Sequence, residues 1–178
     1  MSPEERKRRY IEAKVHLDFC AKLYAMQHEA GRLFLHEHPE KATSWQEPCM
    51  INLKNMKDIL HVVADQCQFG LTVTVKGTKR LAKKRTGFLT NSPEVAKELA
   101  RQCQGGHDHQ QLEGGNLTKQ AQCYPPALCE AICRGAAREK AFRRASHFMI
   151  GSVELAADNL GSVHGGSMRR MTSSTRNF

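Results

Sequence analysis

The sequence predicts an α/β fold. Three observations carry the prediction: a long, well-capped helix at the N-terminus, two short apolar runs of buried-strand type with a helix between them, and an alternating hairpin pattern that leads into a third strand. Helix, strand, helix, strand is the order expected of a parallel sheet with its helices on the faces.

Each element has its own signal. Ser2, Pro3 and Glu5 form a capping box with proline at the first helical position. Ile11, Val15, Phe19, Leu23 and Met26 then recur at three- to four-residue spacing, a stripe expected to face a core, and Gly31 stands where a left-handed C-terminal cap belongs. Leu33 to Leu35 is a short apolar run that opens into His36-Glu37-His38-Pro39, a buried strand ending in a loop. A helix over about 48–57 separates it from a second strand, Ile59 to Ala64. Leu71-Thr72-Val73-Thr74-Val75 alternates, and Lys76-Gly77 turns it into a basic return arm. A strand over Thr86 to Thr90 follows, and Asn91-Ser92-Pro93-Glu94 starts a helix that carries Val95, Leu99 and Cys103 inward. After a long loop, Pro125-Pro126 opens a last helix, with Leu128, Cys129, Ile132 and Ala136 toward the core. Residues 1–146 are read as one domain and 147–178 as a disordered tail of low apolar content.

Composition narrows the class. A chain of 178 residues that is 40% hydrophobic can bury a core, and it has no apolar run of membrane-spanning length and no signal-peptide pattern. Seven cysteines at irregular spacing make a poor disulfide framework, so reduced thiols in an intracellular protein are expected. The net charge of +9 is concentrated in Arg6 to Arg9 and in Lys76, Lys79, Arg80, Lys83, Lys84 and Arg85, with no acid inside either cluster. Such clusters suit a nucleic-acid backbone, with a merely solubilising face as the alternative.

GRLFLHEHP, Trp45, DQCQFG, KKRTGFLTN, CQGGHDH and AQCYPPALCEAI stand in that order. The series resembles the second half of a cytosine-5 DNA methyltransferase-like domain, in the version carried by copia-type retroelement polyproteins, which are abundant in dinoflagellate-like protists. The resemblance implies the C-terminal half of a Rossmann-like methyltransferase sheet with flanking helices and an inserted basic hairpin. It also implies that Glu37 stands where the family's base-pocket glutamate stands, with His38 in place of asparagine. The family's glycine-rich turn for S-adenosylmethionine and its Pro-Cys nucleophile would precede Ser2, and Pro48-Cys49 lies on the wrong side of the Glu37 strand. The chain alone is therefore expected to bind no cofactor and to lack covalent catalysis.

Several smaller readings stay open. His36 and His38 share a strand face, and Cys103, His107 and His109 share a loop, so these five are candidate metal ligands. They lack the paired ligand couples of a structural zinc site, and polar loop residues without a metal are expected. Trp45 is read as a plug for the loop after Pro39 rather than a base-stacking platform, and Cys129 and Cys133 as small core residues. The functional expectation is a truncated, non-catalytic module with DNA or RNA contact. Its alternatives are half of a split methyltransferase, completed with S-adenosylmethionine by an upstream half-domain, and a plain nucleic-acid-binding or interaction module.

Overall fold

The structure is a computed structural model that describes the backbone of residues 1–161 and the side chains of residues 1–146. The chain divides into two compact units, 1–140 and 141–178, and the features below lie in the first. Helix α1 (Pro3–Glu29) starts as its capping box dictates, with Ser2 Oγ accepting from Glu5 N at 3.1 Å. It is followed by β1 (Leu35–Pro39), α2 (Pro48–Lys54), β2 (Leu60–Asp65), the hairpin β3 (Thr72–Val75) and β4 (Thr78–Leu81), and β5 (Arg85–Thr90). Then come α3 (Pro93–Leu99), a short α4 (Gly115–Gln120) and α5 (Pro126–Gly161). No helix among the described residues is long and apolar enough to cross a membrane.

The mixture of helices and strands is as expected, but the sheet is not parallel. Its order is β1-β5-β2, and β5 runs antiparallel to both neighbours, pairing Glu37 with Phe88 on one side and Val62 with Phe88 on the other. The cause is the hairpin. The α2 crossover does leave β1 and β2 parallel to each other, but the excursion through β3 and β4 returns the chain so that β5 slots between them. Strand β5 is wholly buried from Thr86 to Thr90, which suits the centre of a sheet. Among the described strands every pairing is antiparallel, so the Rossmann-like half-sheet is corrected to a small antiparallel sheet.

Both faces of that sheet are covered. On one, Trp45, Met50, Leu53 and Leu89 pack with Ala21 of α1; on the other, Phe88, Val95, Leu99 and Leu128 join α3 and α5 to the sheet. The buried polar residues are tied in place. Thr90 Oγ1 donates to Phe34 O at 2.6 Å, and Asn91 bridges Phe34 N at 3.0 Å and Arg32 O at 2.7 Å, which pins the start of β1. The hairpin turns on Lys76 and Gly77, both at positive φ (48° and 79°), and seats Leu71, Val73 and Ala82 on Ala121 after α4.

Two expectations are corrected by this packing. The stripe of Ile11, Val15, Phe19, Leu23 and Met26 faces outward, with exposures of 39–65%. Helix α1 turns Leu17, Ala21, Tyr24 and Ala25 to the core instead, because small alanines let it lie close to α2. Cys129 and Cys133 are exposed on α5, whose inner face is Leu128, Ala131, Ile132 and Ala136. Helix α5 runs on to Gly161, and of the tail read over 147–178 the part 162–178 lies outside the described residues.

Gly135 is where α5 meets the start of α3: a Cβ there would stand 2.7 Å from Val95 Cα and 2.9 Å from Glu94 O. Those are backbone atoms that cannot swing aside. Gly135→Ala is therefore expected to destabilise by about 1–3 kcal/mol, the usual range for overpacking, as read by denaturant unfolding. An unchanged midpoint would show that the two helices can separate at no cost.

Candidate metal centre

The sharpest cluster of chemistry on the molecule lies beside the end of β2. Cys67 sits in the 3₁₀ turn Gln66–Phe69, which Gly70 closes in the left-handed region. Asp65 N donates to Arg101 O at 2.9 Å, so the chain leaving α3 runs alongside the end of β2. Gly105 and Gly106, at φ 93° and 84°, then fold that chain back on itself. The result brings Cys67, Cys103, His107 and His109 together with one ligand atom from each within 4.8 Å of the others.

Three of the six separations already have the size that a tetrahedral ion needs. Cys103 Sγ lies 3.7 Å from His107 Nε2 and 3.6 Å from His109 Nε2, and Cys67 Sγ lies 3.3 Å from His109 Nε2. With metal–sulfur bonds of about 2.3 Å and metal–nitrogen bonds of about 2.0–2.1 Å, the edges of a zinc tetrahedron fall at about 3.3–3.8 Å. Three thiol–imidazole contacts link the four side chains pairwise, and the two sulfurs and two nitrogens as a group lie within 4.8 Å of one another.

The surroundings favour a thiolate there. Gly105 N donates to Cys103 Sγ at 3.4 Å, and this bond comes first among the influences that pull the Cys103 thiol below the ordinary range, with Cys67 and the Lys83 charge acting in the same direction. Burial pushes the Cys67 thiol up. Asp65 is the outer support. Its side chain is fully buried, its Oδ2 accepts from Cys103 N at 2.9 Å and from Arg85 Nη1 at 3.2 Å, and Lys83 Nζ lies 3.8 Å away. At the far end of the loop, Gln110 N donates to Leu81 O at 2.7 Å and so ties it to the basic hairpin.

The predicted site residues separate into groups. Cys103, His107 and His109 come together, but their fourth partner is Cys67, which the spacing alone did not single out. His36 and His38 belong elsewhere, on the face of β1 toward α1. His36 is buried between Tyr24 and Trp45, with Nδ1 3.3 Å from Tyr24 Oη, and burial pushes its pKa down to about 4, helped by His38 and His61. Trp45 is a plug, 3% exposed, with Nε1 donating to Pro39 O at 2.9 Å and its ring tilted on His61. Gly87 makes room for both rings on β5, since a Cβ there would stand 2.9 Å from each.

The basic residues divide as well. Lys83 and Arg85 are held by Asp65, and Arg85 also lies 4.0 Å from Glu40. Lys84 lies over the Tyr124 ring. Lys76, Lys79 and Arg80 are exposed on the hairpin. Glu37, half-buried on β1, faces Tyr124, whose pKa is raised first by burial and then by that carboxylate. Compared with known proteins, the chain matches no family model, no curated protein and no solved structure.

Proposed function

We propose that the chain is a zinc-organised nucleic-acid-contact module, in which the Cys67, Cys103, His107 and His109 site clamps the loop that roots the basic hairpin. The convergence of those four side chains carries the reading. Two thiolates and two neutral imidazoles in a tetrahedral arrangement suit zinc, and a set closed by four protein ligands is structural rather than catalytic. Lys76, Lys79 and Arg80 then supply the positive surface, while Lys83 and Arg85 serve the clamp through Asp65. Contact of this kind is to phosphate and so carries little sequence preference.

A second reading, half of a split methyltransferase completed with S-adenosylmethionine by an upstream segment, draws on the resemblance and on Glu37 Oε1, which is buried without a partner in the described structure. The antiparallel strand beside β1 counts against it, because the family's pocket belongs to a parallel sheet.

The contact itself is tested by measuring duplex-DNA affinity across a range of salt concentrations. Replacing Lys76, Lys79 and Arg80 by alanine is expected to flatten the log-log slope by roughly two to three units, at about 0.9 per phosphate neutralised. Equal slopes for parent and variant would reduce the hairpin to a solvated face.

A further inference from the structure

Between α1, β1 and the 3₁₀ turn Thr43–Gln46 lies a cavity of about 570 Å³, within the roughly 300–1,000 Å³ of small-molecule sites. Five rings with polar tips line it, those of Tyr10, His16, Tyr24, His36 and His38. Alternation along β1 puts His36 and His38 on one face, with their rings parallel to within 3° and 5.9 Å apart, and the Tyr24 ring stands edge-on to His36 at 5.4 Å. Small side chains at Ala13 and Ala42 keep the space open. Two polar atoms of the lining residues are buried with no partner among the described residues, His36 Nε2 and Ser44 Oγ. His36 is only 9% exposed, and its other nitrogen is taken, since Nδ1 lies 3.3 Å from Tyr24 Oη. A buried polar atom left unpaired costs stability, and a ligand that pairs with it recovers that cost. The charges around the cavity are already matched. Glu47 accepts from Tyr10 Oη and pairs with Lys14, each at 2.9 Å, and alternation turns the Glu37 carboxylate to the other face of β1, toward Tyr124.

We propose that this cavity is a binding site for a small, uncharged aromatic heterocycle, packed against the rings of α1 and β1 and hydrogen-bonded to His36 Nε2 and Ser44 Oγ. The rings of the wall suit a flat aromatic ligand. Its heteroatoms answer the two unpaired atoms: a serine hydroxyl both donates and accepts, and Nε2 takes whichever role the bond to Tyr24 leaves it. A hydrocarbon of the same shape would leave both atoms unpaired, and a charged ligand would give up its hydration with no countercharge to meet it. Burial keeps His36 neutral, with its pKa down at about 4, in keeping with an uncharged partner. The inference is independent of the metal and of the nucleic acid.

The test is a titration of the full chain with benzimidazole, a flat bicycle with one N–H donor and one acceptor nitrogen, against indene, the same bicycle without nitrogens. Benzimidazole is expected to bind once per chain with a dissociation constant of about 1 mM or tighter. Indene should bind at least about 10-fold more weakly, since a site built on hydrogen bonds rejects an analogue that lacks them. His36→Phe keeps a ring between Tyr24 and Trp45 but removes Nε2, and should weaken benzimidazole about 10-fold while leaving indene unchanged. Binding should also move the nitrogen chemical shift of the His36 ring in the parent. Ala13→Trp, at an exposed position of α1, should fill the cavity and abolish binding of both compounds, whereas Val15→Trp, on the outer face of the same helix, should change neither. Circular dichroism checks that each variant keeps its fold, and the Ala13→Trp and indene comparisons stand even if His36→Phe does not fold. No saturable benzimidazole binding up to its solubility limit overturns the proposal. So does equal affinity for indene, or binding that Ala13→Trp leaves intact.

Discussion

Replacing Cys67 with serine is expected to leave the protein almost indifferent to zinc. In the parent, a ligand that binds only the folded state adds stability with its concentration, about 4 kcal/mol at a thousandfold excess over the dissociation constant. For a chain of this size that is roughly 8–16 °C in melting temperature. Serine at position 67 removes one of the four donors and leaves three that no longer close a tetrahedron. Zinc affinity should fall by more than the roughly 10- to 100-fold that an outer-shell change costs, and most of the thermal gain should go with it. Cys49→Ser is the control. That thiol lies on α2, pushed up to about 11 by burial and then by Asp18, and it takes no part in the cluster. Melting curves with and without a chelator check both variants, and equal zinc responses in the two would place the metal elsewhere.

Removing the carboxylate of Asp65 is expected to have the second-largest effect. Asp65→Ala takes the partner from Cys103 N, removes the carboxylate beside Lys83, and leaves Arg85 with Glu40 alone at 4.0 Å. Breaking a buried ion pair from one side costs about 3–5 kcal/mol, and the lower end applies here because Arg85 is itself 39% exposed. Zinc affinity should fall as well, by roughly 10- to 100-fold, since the Cys103 loop loses its anchor. Unfolding in chelator isolates the first effect and a zinc titration the second. If the chelated variant is as stable as the chelated parent, the Asp65 network contributes nothing to the fold itself.

How far the sequence foretold these features depended on whether each signal was local. Capped helix starts at Ser2 and Ser92 and the Lys76-Gly77 turn are written in a few adjacent residues, and all three stand as expected. The order of the sheet is not local. Helix-separated strands β1 and β2 suggest a parallel pair, and nothing in either strand announces that β5 will lie between them. Helix α1 misled for a related reason: it carries apolar residues on two faces, five large ones on the outer face, while the inner face mixes Leu17 and Tyr24 with the small Ala21 and Ala25. The candidate metal site was half legible. Cys103, His107 and His109 form a visible cluster, but Cys67 joins it only because the end of β2 lies against the chain leaving α3, a contact set by the bond from Asp65 N to Arg101 O.

The central claim, a tetrahedral metal site of two thiolates and two imidazoles, is tested most directly by titrating the metal-free full chain with cobalt(II) and recording its visible absorption. The account predicts a single equivalent that develops the intense d–d bands of tetrahedral cobalt with thiolate charge transfer, is displaced by zinc, and is lost in Cys67→Ser. A titration that yields only the weak bands of octahedral cobalt, or tetrahedral bands that persist unchanged in Cys67→Ser, would contradict it.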